Sequence, residues 1–351
     1  MPAKIPATVV TGFLGAGKTT LIRHMLSNAQ GKRIALIINE FGDLGVDGDI
    51  LKGCGDETCT EDDIMELSNG CICCTVAEDF IPTLEKLLAR DNKPDHIVIE
   101  TSGLALPQPL VRAFNWPDIR TRVTVDGVVT VVDGKAVEEG QFAHNVAAVD
   151  AQRAADENLD HETPLSELFD DQIACADMIV VNKTDLLADQ GTALSARLKG
   201  DARSGVQVIK ATMGALPVDV LLGQGIGAED DLAARHEVHH HHHHDEDGAH
   251  GEEDHHHDHD DFESFVIETG EVTDPKTFLS RLADVIRRHD VLRLKGFAAV
   301  AGKPLRLTIQ AVGPRIDSYF DQPADDRRST RLVVIGAAGL DRDAISQALA
   351  N

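Results

Sequence analysis

The sequence predicts an α/β protein. A mostly parallel sheet with helices on both faces is followed by a flexible His-rich linker and a small α+β domain. Three observations predict it. Short, mostly apolar runs recur at 8–10, 34–38, 97–99, 128–132, 178–181 and 206–209 with helical stretches between them, as strands buried on both faces require. The first run leads directly into a G-x-x-x-x-G-K-T segment at 12–19, which opens a helix. From 236 to 261 the patterning collapses into His, Asp, Glu and Gly, and it returns at Phe262. The domains expected are therefore 1–225, 226–261 and 262–351.

Each element has a local cause. The strand at 8–10 feeds the glycine-rich turn, and Leu21-Ile22-Arg23-His24-Met25-Leu26 continues as helix. The strand at 34–38 ends in Asn39-Glu40-Phe41-Gly42, and an acidic, loop-rich stretch leads to Cys71-Ile72-Cys73-Cys74. Residues 81–88 read as a helix, and 97–100 as a strand that ends in Glu100-Thr101-Ser102-Gly103. The next strands end at Asp133 and at Asn182-Lys183-Thr184-Asp185. Beyond the linker, 262–267 reads as a strand, and 275–289 as a helix with Asp274 as its cap and Pro275 in its first turn. Strands at 291–300, 304–312 and 331–335 and a helix at 342–349 give the order β-α-β-β-β-α.

Composition narrows the class. The chain has 351 residues and 42% apolar residues, enough for two ordinary cores. The start, Met1-Pro2-Ala3-Lys4-Ile5-Pro6, has no signal-peptide core, and no apolar run is long enough to span a membrane. A cytoplasmic protein without membrane partners is expected, and in that compartment its six cysteines suit metal or redox chemistry better than a disulfide scaffold. A net charge of -26 would repel a nucleic acid. Eleven of the acidic residues lie between 237 and 263, where there is no Lys or Arg.

The glycine-rich segment is a phosphate cradle. Gly12, Gly15 and Gly17 let backbone N–H groups close around phosphate oxygens at the positive end of a helix dipole. Lys18 is placed to reach the β- and γ-phosphates, Thr19 to offer its hydroxyl to Mg²⁺, and Thr20 extends the loop. A merely glycine-rich turn would not need Lys18 and Thr19. Asn182-Lys183-Thr184-Asp185 fits the N-K-x-D pattern that reads guanine, because a carboxylate accepts from the N1–H and the exocyclic amine, a donor pair adenine lacks. Glu100 and Gly103 stand where a GTPase places its D-x-x-G, with Glu100 expected to hold Mg²⁺ through water and the Gly103 N–H to touch the γ-phosphate. The expectation is a P-loop GTPase domain in which Lys18 and Glu100 serve catalysis. No residue stands out as positioning the attacking water, so hydrolysis slower than about one per second is expected.

Three thiols at Cys71, Cys73 and Cys74 form a soft chelating set for a transition metal. They are one ligand short of a tetrahedron, which suits transfer better than permanent structure. Buried core cysteine and a redox pair are the alternatives, and Cys54 and Cys59 could add a ligand or stabilise the loop. Cys175, on an apolar helical stretch, reads as packing. The triplet lies between Thr19 and Glu100, the interval that γ-phosphate and Mg²⁺ order in this class. Glu40 is a candidate for a Mg²⁺-linked or relay role. The histidines at 239–244, 250, 255–257 and 259, mixed with acids, suit weak, labile binding of divalent metals.

The segments 12–20, 39–42, 70–74 and 100–103 and the N-K-x-D together resemble the CobW-type metal-chaperone GTPases over nearly the whole chain. The resemblance implies GTP hydrolysis, Mg²⁺ as cofactor, and a transition metal, Co²⁺ or Zn²⁺, held at Cys71, Cys73 and Cys74. Within the family, the stretches 104–110, 114–117, 294–297 and 310–315 are most similar to the member of cobalamin biosynthesis. That closer resemblance implies delivery of Co²⁺ to cobaltochelatase subunits, and a nucleotide-dependent dimer is among the assemblies expected. A zinc chaperone or metalloenzyme activator of the same family, a metal buffer and a P-loop kinase are the competing readings; the N-K-x-D argues against the kinase.

Overall fold

In a computed structural model of the protein, residues 4–38, 64–66, 80–155, 164–230, 262–313, 315–324 and 328–350 are described. The chain divides into two compact units, Met1–His241 and His242–Asn351.

The first unit is built on seven strands: β1 (Ile5–Thr11), β2 (Ile34–Ile38), β3 (Ile64–Glu66), β4 (His96–Glu100), β5 (Val123–Asp133), β6 (Met178–Asn182) and β7 (Gln207–Lys210). Their order is β3-β2-β4-β1-β5-β6-β7, and every pairing is parallel. β2, β4 and β6 are buried at every position, as a sheet covered on both faces demands. β3 was not foreseen. It has three residues in an acidic stretch, too short for any periodicity to show. Cys175 is fully buried in the core beside Val128 and Ile226, as its apolar surroundings predicted.

Parallel strands place all their carboxyl ends on one edge, so Thr11, Glu100, Asp133 and Asn182 end strands on the same side. The opposite edge carries a different polar system. His96 Nε2 lies 2.8 Å from Thr8 Oγ1, and Asp126 accepts the backbone N–H groups of Gly223 at 2.6 Å and Gly225 at 2.7 Å. Glu229, only 4% exposed, accepts from Thr124 Oγ1 at 2.6 Å and from the Val125 N–H at 2.8 Å. Residues 226–230, which the sequence assigns to the linker, are thus fastened to β5, with Ile226 and Ala228 buried. Two buried carboxylates with backbone partners are a tertiary feature that composition does not reveal.

The second unit has five antiparallel strands in the order β11-β10-β9-β12-β8. They are β8 (Phe262–Thr269), β9 (Val291–Ala298), β10 (Leu305–Val312), β11 (Arg315–Pro323) and β12 (Thr330–Ala337). Helices Pro275–Arg288 and Arg342–Ala350 supply Phe278, Leu282, Val285, Ile345 and Leu349 to the core they share with Phe265, Leu294, Ile309 and Val334. Asp274 caps the first of these helices, accepting from the N–H groups of Lys276 and Thr277. The order is β-α-β-β-β-β-α, one strand more than expected. β11 escaped notice because it is an edge strand, exposed at eight of its nine positions, so no buried face imposes an apolar alternation.

Removing Glu229 tests the anchoring. Glu229→Ala would take the acceptor from the half-buried Thr124 hydroxyl and the buried Val125 N–H, and is expected to destabilise the first unit by about 1–3 kcal/mol in urea unfolding. In the second unit, Arg306 bonds Asp321 and holds its carboxyl down at about 2, with the Gln322 N–H assisting. A carboxyl whose folded pKa is depressed contributes stability above its unfolded pKa, about 3.9, and loses it as pH falls toward the folded value. Asp321→Asn should therefore flatten the acid limb of the stability profile between about pH 4 and pH 2, read by circular dichroism.

Candidate nucleotide site

β1 ends at Thr11, and the chain turns through Gly12 to Gly17 before helix Lys18–Ser27 begins. Two contacts hold this turn. Phe13 is buried against Phe142 and Phe169, with ring centroids 5.7 and 6.1 Å away. The Ala16 carbonyl accepts from Asn182 Nδ2 at 2.9 Å. Gly17 has φ 103°, and a Cβ there would sit 2.2 Å from Asn182 Nδ2. Only glycine supplies both the left-handed backbone and the space. Gly12 is equally confined, since its Cβ would meet the Val131 carbonyl at 2.1 Å, whereas Gly15 faces open space.

Lys18 is buried and donates to two carbonyls of its own loop, Gly12 O at 2.7 Å and Phe13 O at 3.2 Å. The amine is thus held over the concavity of the turn. Thr19 Oγ1 donates to Glu100 Oε1 at 3.2 Å, while Thr20 is exposed in the first turn of the helix. Thr19 and Glu100 come from different strand–helix units and meet as a pair of hard oxygen donors. That is the donor type Mg²⁺ requires, so these two residues fit the ion.

The loop after β4 lies directly against the phosphate turn. A Cβ on Gly103 would fall 2.7 Å from the Leu14 N–H nitrogen, so glycine here permits contact between the two loops. Gln172, fully buried on helix Leu165–Cys175, donates to the carbonyls of Gly103 at 3.1 Å and Ala105 at 3.2 Å. The same helix carries Phe169, which touches Phe13. One helix therefore supports both loops. Sequence reasoning missed Gln172, because a glutamine in mid-helix carries no local signal.

The N-K-x-D turn completes the edge. Asn182 donates to the phosphate loop and its Oδ1 accepts the Gly214 N–H at 3.0 Å. Lys183, at φ 61°, reaches back to the buried Asp133, with Nζ 2.6 Å from Oδ2. Asp133 also caps helix Gly134–Glu138 through the Ala136 N–H. Its role as anchor of Lys183 was missed, although its position at a strand's carboxyl end was visible. Thr184 donates from both its N–H and its hydroxyl to the Ala211 carbonyl. Asp185 is exposed on the short 3₁₀ turn Thr184–Leu186, available to a ligand.

Lys18, Thr19, Glu100, Gly103, Asn182, Lys183 and Asp185 thus share one edge. Cys71, Cys73, Cys74, Glu40, Cys54, Cys59 and the histidines at 239–259 lie outside the described residues. Among the described residues no cluster of three or more His, Cys, Asp or Glu could hold a metal ion, and no helix is long and apolar enough to cross a membrane.

Comparisons with known proteins assign the chain's domains. Residues 6–210 match the CobW/HypB/UreG nucleotide-binding domain, and residues 262–351 match the cobalamin synthesis protein cobW C-terminal domain. A zinc chaperone CobW of Sinorhizobium sp is 60% identical over 99% of this chain and 96% of its own length. A zinc chaperone CobW of Pseudomonas aeruginosa is 51% identical over 99% and 91%. Among solved structures, Zn(II)-bound YjiA GTPase from E. coli covers 99% of this chain and 98% of its own at 24% identity and a TM-score of 0.42, too loose a superposition to bear on the site.

Gly17→Ala tests the geometry. The added methyl must displace Asn182 or unwind the loop, so affinity for a fluorescent GDP should fall by at least about tenfold while the fold is retained.

Proposed function

The chain belongs to the CobW/HypB/UreG family of P-loop GTPases, and from that premise we propose that it is a nucleotide-gated metallochaperone that carries Zn²⁺ at Cys71, Cys73 and Cys74. The observation that carries the reading is the meeting of Thr19 with Glu100 at 3.2 Å, on the loop whose next residues touch the phosphate turn. A triplet of thiols lies between those two residues in the chain. In this reading, what γ-phosphate does to the Glu100–Gly103 loop is passed to the segment that lies between Thr19 and Glu100 in the chain.

In this reading Lys18 exchanges its loop carbonyls for the β- and γ-phosphate oxygens. The N–H groups of 15–19 close on the phosphates at the helix N-terminus. Thr19 and Glu100 would hold Mg²⁺, which would supply positive charge to offset that of the phosphates. The Gly103 N–H lies along the γ-phosphate, and Gln172 keeps that loop in place. Asp185 accepts from the guanine edge, with Asn182 and Lys183 fixing its turn. Water attacks the γ-phosphorus and releases GDP and phosphate. The Glu100–Gly103 loop then loses its ligand, and the three thiolates loosen their hold on the cargo. A fourth ligand comes from solvent or from the client during transfer.

Zinc is favoured as cargo by the names of the 60% and 51% identical relatives and by the affinity order of thiolate sites, which bind Zn²⁺ above Co²⁺. A second reading, Co²⁺ supplied to the cobaltochelatase of aerobic cobalamin biosynthesis, is favoured by the match of 262–351 to the cobalamin synthesis C-terminal domain. In either reading the His-acid segment concentrates metal loosely.

Competitive titration of Zn²⁺ and Co²⁺ against a chromophoric chelator separates these readings, with Mg²⁺ and either a non-hydrolysable GTP analogue or GDP. Zn²⁺ affinity should be at least about tenfold higher in the GTP state, a coupling of ordinary allosteric size, and Cys73→Ser should abolish it. Deleting residues 239–259 should leave the tight site intact. Equal affinity in the two nucleotide states would sink the gating. Nucleotide-dependent binding of Co²⁺ but not Zn²⁺ would favour the cobalt reading.

A further inference from the structure

β11 is an edge of the second unit's sheet. Among the described residues it pairs with β10 alone, and a strand edge left open in this way is a template for another strand. It is exposed at eight of nine positions. Tyr319 is 52% exposed and Phe320 42%, two adjacent aromatic side chains in a chain that is only 4% aromatic. Edges are commonly guarded by charge, but the charges of β11 are arranged to accept one particular partner.

The register with β10 assigns each side chain to a face. Ile316, Ser318 and Phe320 stand opposite the buried Ala311, Ile309 and Leu307, on the face that the two helices cover. Arg315, Asp317 and Tyr319 stand opposite Val312, Gln310 and Thr308, on the other face. Asp321 belongs with these three. It is bonded by Arg306, whose guanidinium sits 4.8 Å over Phe297, the residue opposite Thr308.

A second β11 laid antiparallel along this edge must set like face on like face, so the pairing can slip only by whole two-residue steps of the pleat. Centred on Asp317, it sets Asp317 against Asp317. Centred on Tyr319, it sets Asp317 against Asp321. Both oppose like charges directly, which destabilises a ladder. Centred on Ser318, it sets Arg315 against Asp321, Ile316 against Phe320 and Asp317 against Tyr319. The two-fold axis makes the ionic and the apolar pair occur twice. The existing bonds of these charges, Arg315 to Asp317 at 3.6 Å and Arg306 to Asp321 at 3.1 Å, join partly exposed groups and are weak enough to be shared. The opposite edge, β8, carries Glu263 and Glu268 and no Lys or Arg, so it offers itself no such match.

We propose that β11 is a self-association surface, on which a second copy of this chain pairs antiparallel about Ser318 to make one continuous sheet. The contact uses no residue of the candidate nucleotide site, so it forms equally with GTP, with GDP and without nucleotide.

Sedimentation of the full chain tests this. A short edge contact is small for a specific interface, so dimers are expected at on the order of 10–100 μM, and salt should weaken them. Arg315→Asp, and separately Asp321→Arg, place like charges opposite each other twice, and each should weaken the dimer by at least about tenfold. Mixing these two variants restores both ionic pairs between unlike copies, so a mixed dimer should form. Circular dichroism checks that each variant is folded. Ser318→Cys reads the register independently of charge. Oxidised glutathione takes up the two electrons and two protons of the two introduced thiols, which should join as a disulfide between the two 318 positions, identified by peptide mass spectrometry. Asp317→Cys, whose opposite residue is Tyr319, should join to itself at least several-fold more slowly. A single-chain mass at about 500 μM, or a dimer indifferent to Arg315→Asp, overturns the proposal. Growth beyond two copies also overturns it, in favour of head-to-tail pairing of β11 with β8.

Discussion

A single side-chain amide joins the parts of the nucleotide edge. Asn182 spends its donor on the Ala16 carbonyl of the phosphate loop and its acceptor on the Gly214 N–H. It is 2% exposed, so both bonds form away from water, where an unpaired amide would be costly. The residue ends β6, and the turn that follows presents Lys183 and Asp185. The distance between the phosphate cradle and the base-reading carboxylate is thereby set by one buried group rather than by two independent loops. Gly17 reflects the same constraint, since any side chain there would occupy the place of the Asn182 amide.

Helix Leu165–Cys175 is the second support. Through Phe169 it backs the phosphate loop at Phe13, and through Gln172 it holds the carbonyls of the loop that follows Glu100. A loop that is to respond to any ligand needs a defined resting place, or its displacement carries no information. Gln172 provides that place with two hydrogen bonds, modest enough to be exchanged when a ligand offers better ones. The lysine of the glycine-rich loop has the same character. Lys18 donates to the Gly12 and Phe13 carbonyls of its own loop, neutral acceptors that anionic oxygens can replace.

The two edges of the parallel sheet do different work. The carboxyl edge collects residues that end strands and turn outward. The amino edge is closed by Asp126 and Glu229, which fasten residues 223–230 to the sheet. In the second unit the antiparallel sheet follows another rule. Its strands alternate buried and exposed positions because two helices supply the core, and its edge strand β11 is exposed at eight positions.

The order of elements, the glycine-rich loop and the N-K-x-D turn were legible because each is a local pattern. Apolar runs mark doubly buried strands, Gly12 to Thr19 is a contiguous motif, and Asp274 with Pro275 announces a helix start. What the pattern could not disclose is held by long-range pairing. β3 and β11 lack the buried alternation that would betray a strand. Asp133, Gln172 and Glu229 act on partners 50, 69 and 105 residues away. Sequence alone determined which chemical groups this protein owns, because motif chemistry resides in residue type and spacing. Tertiary structure decided which of them meet, because a parallel sheet gathers strand ends that are distant in the chain onto one edge.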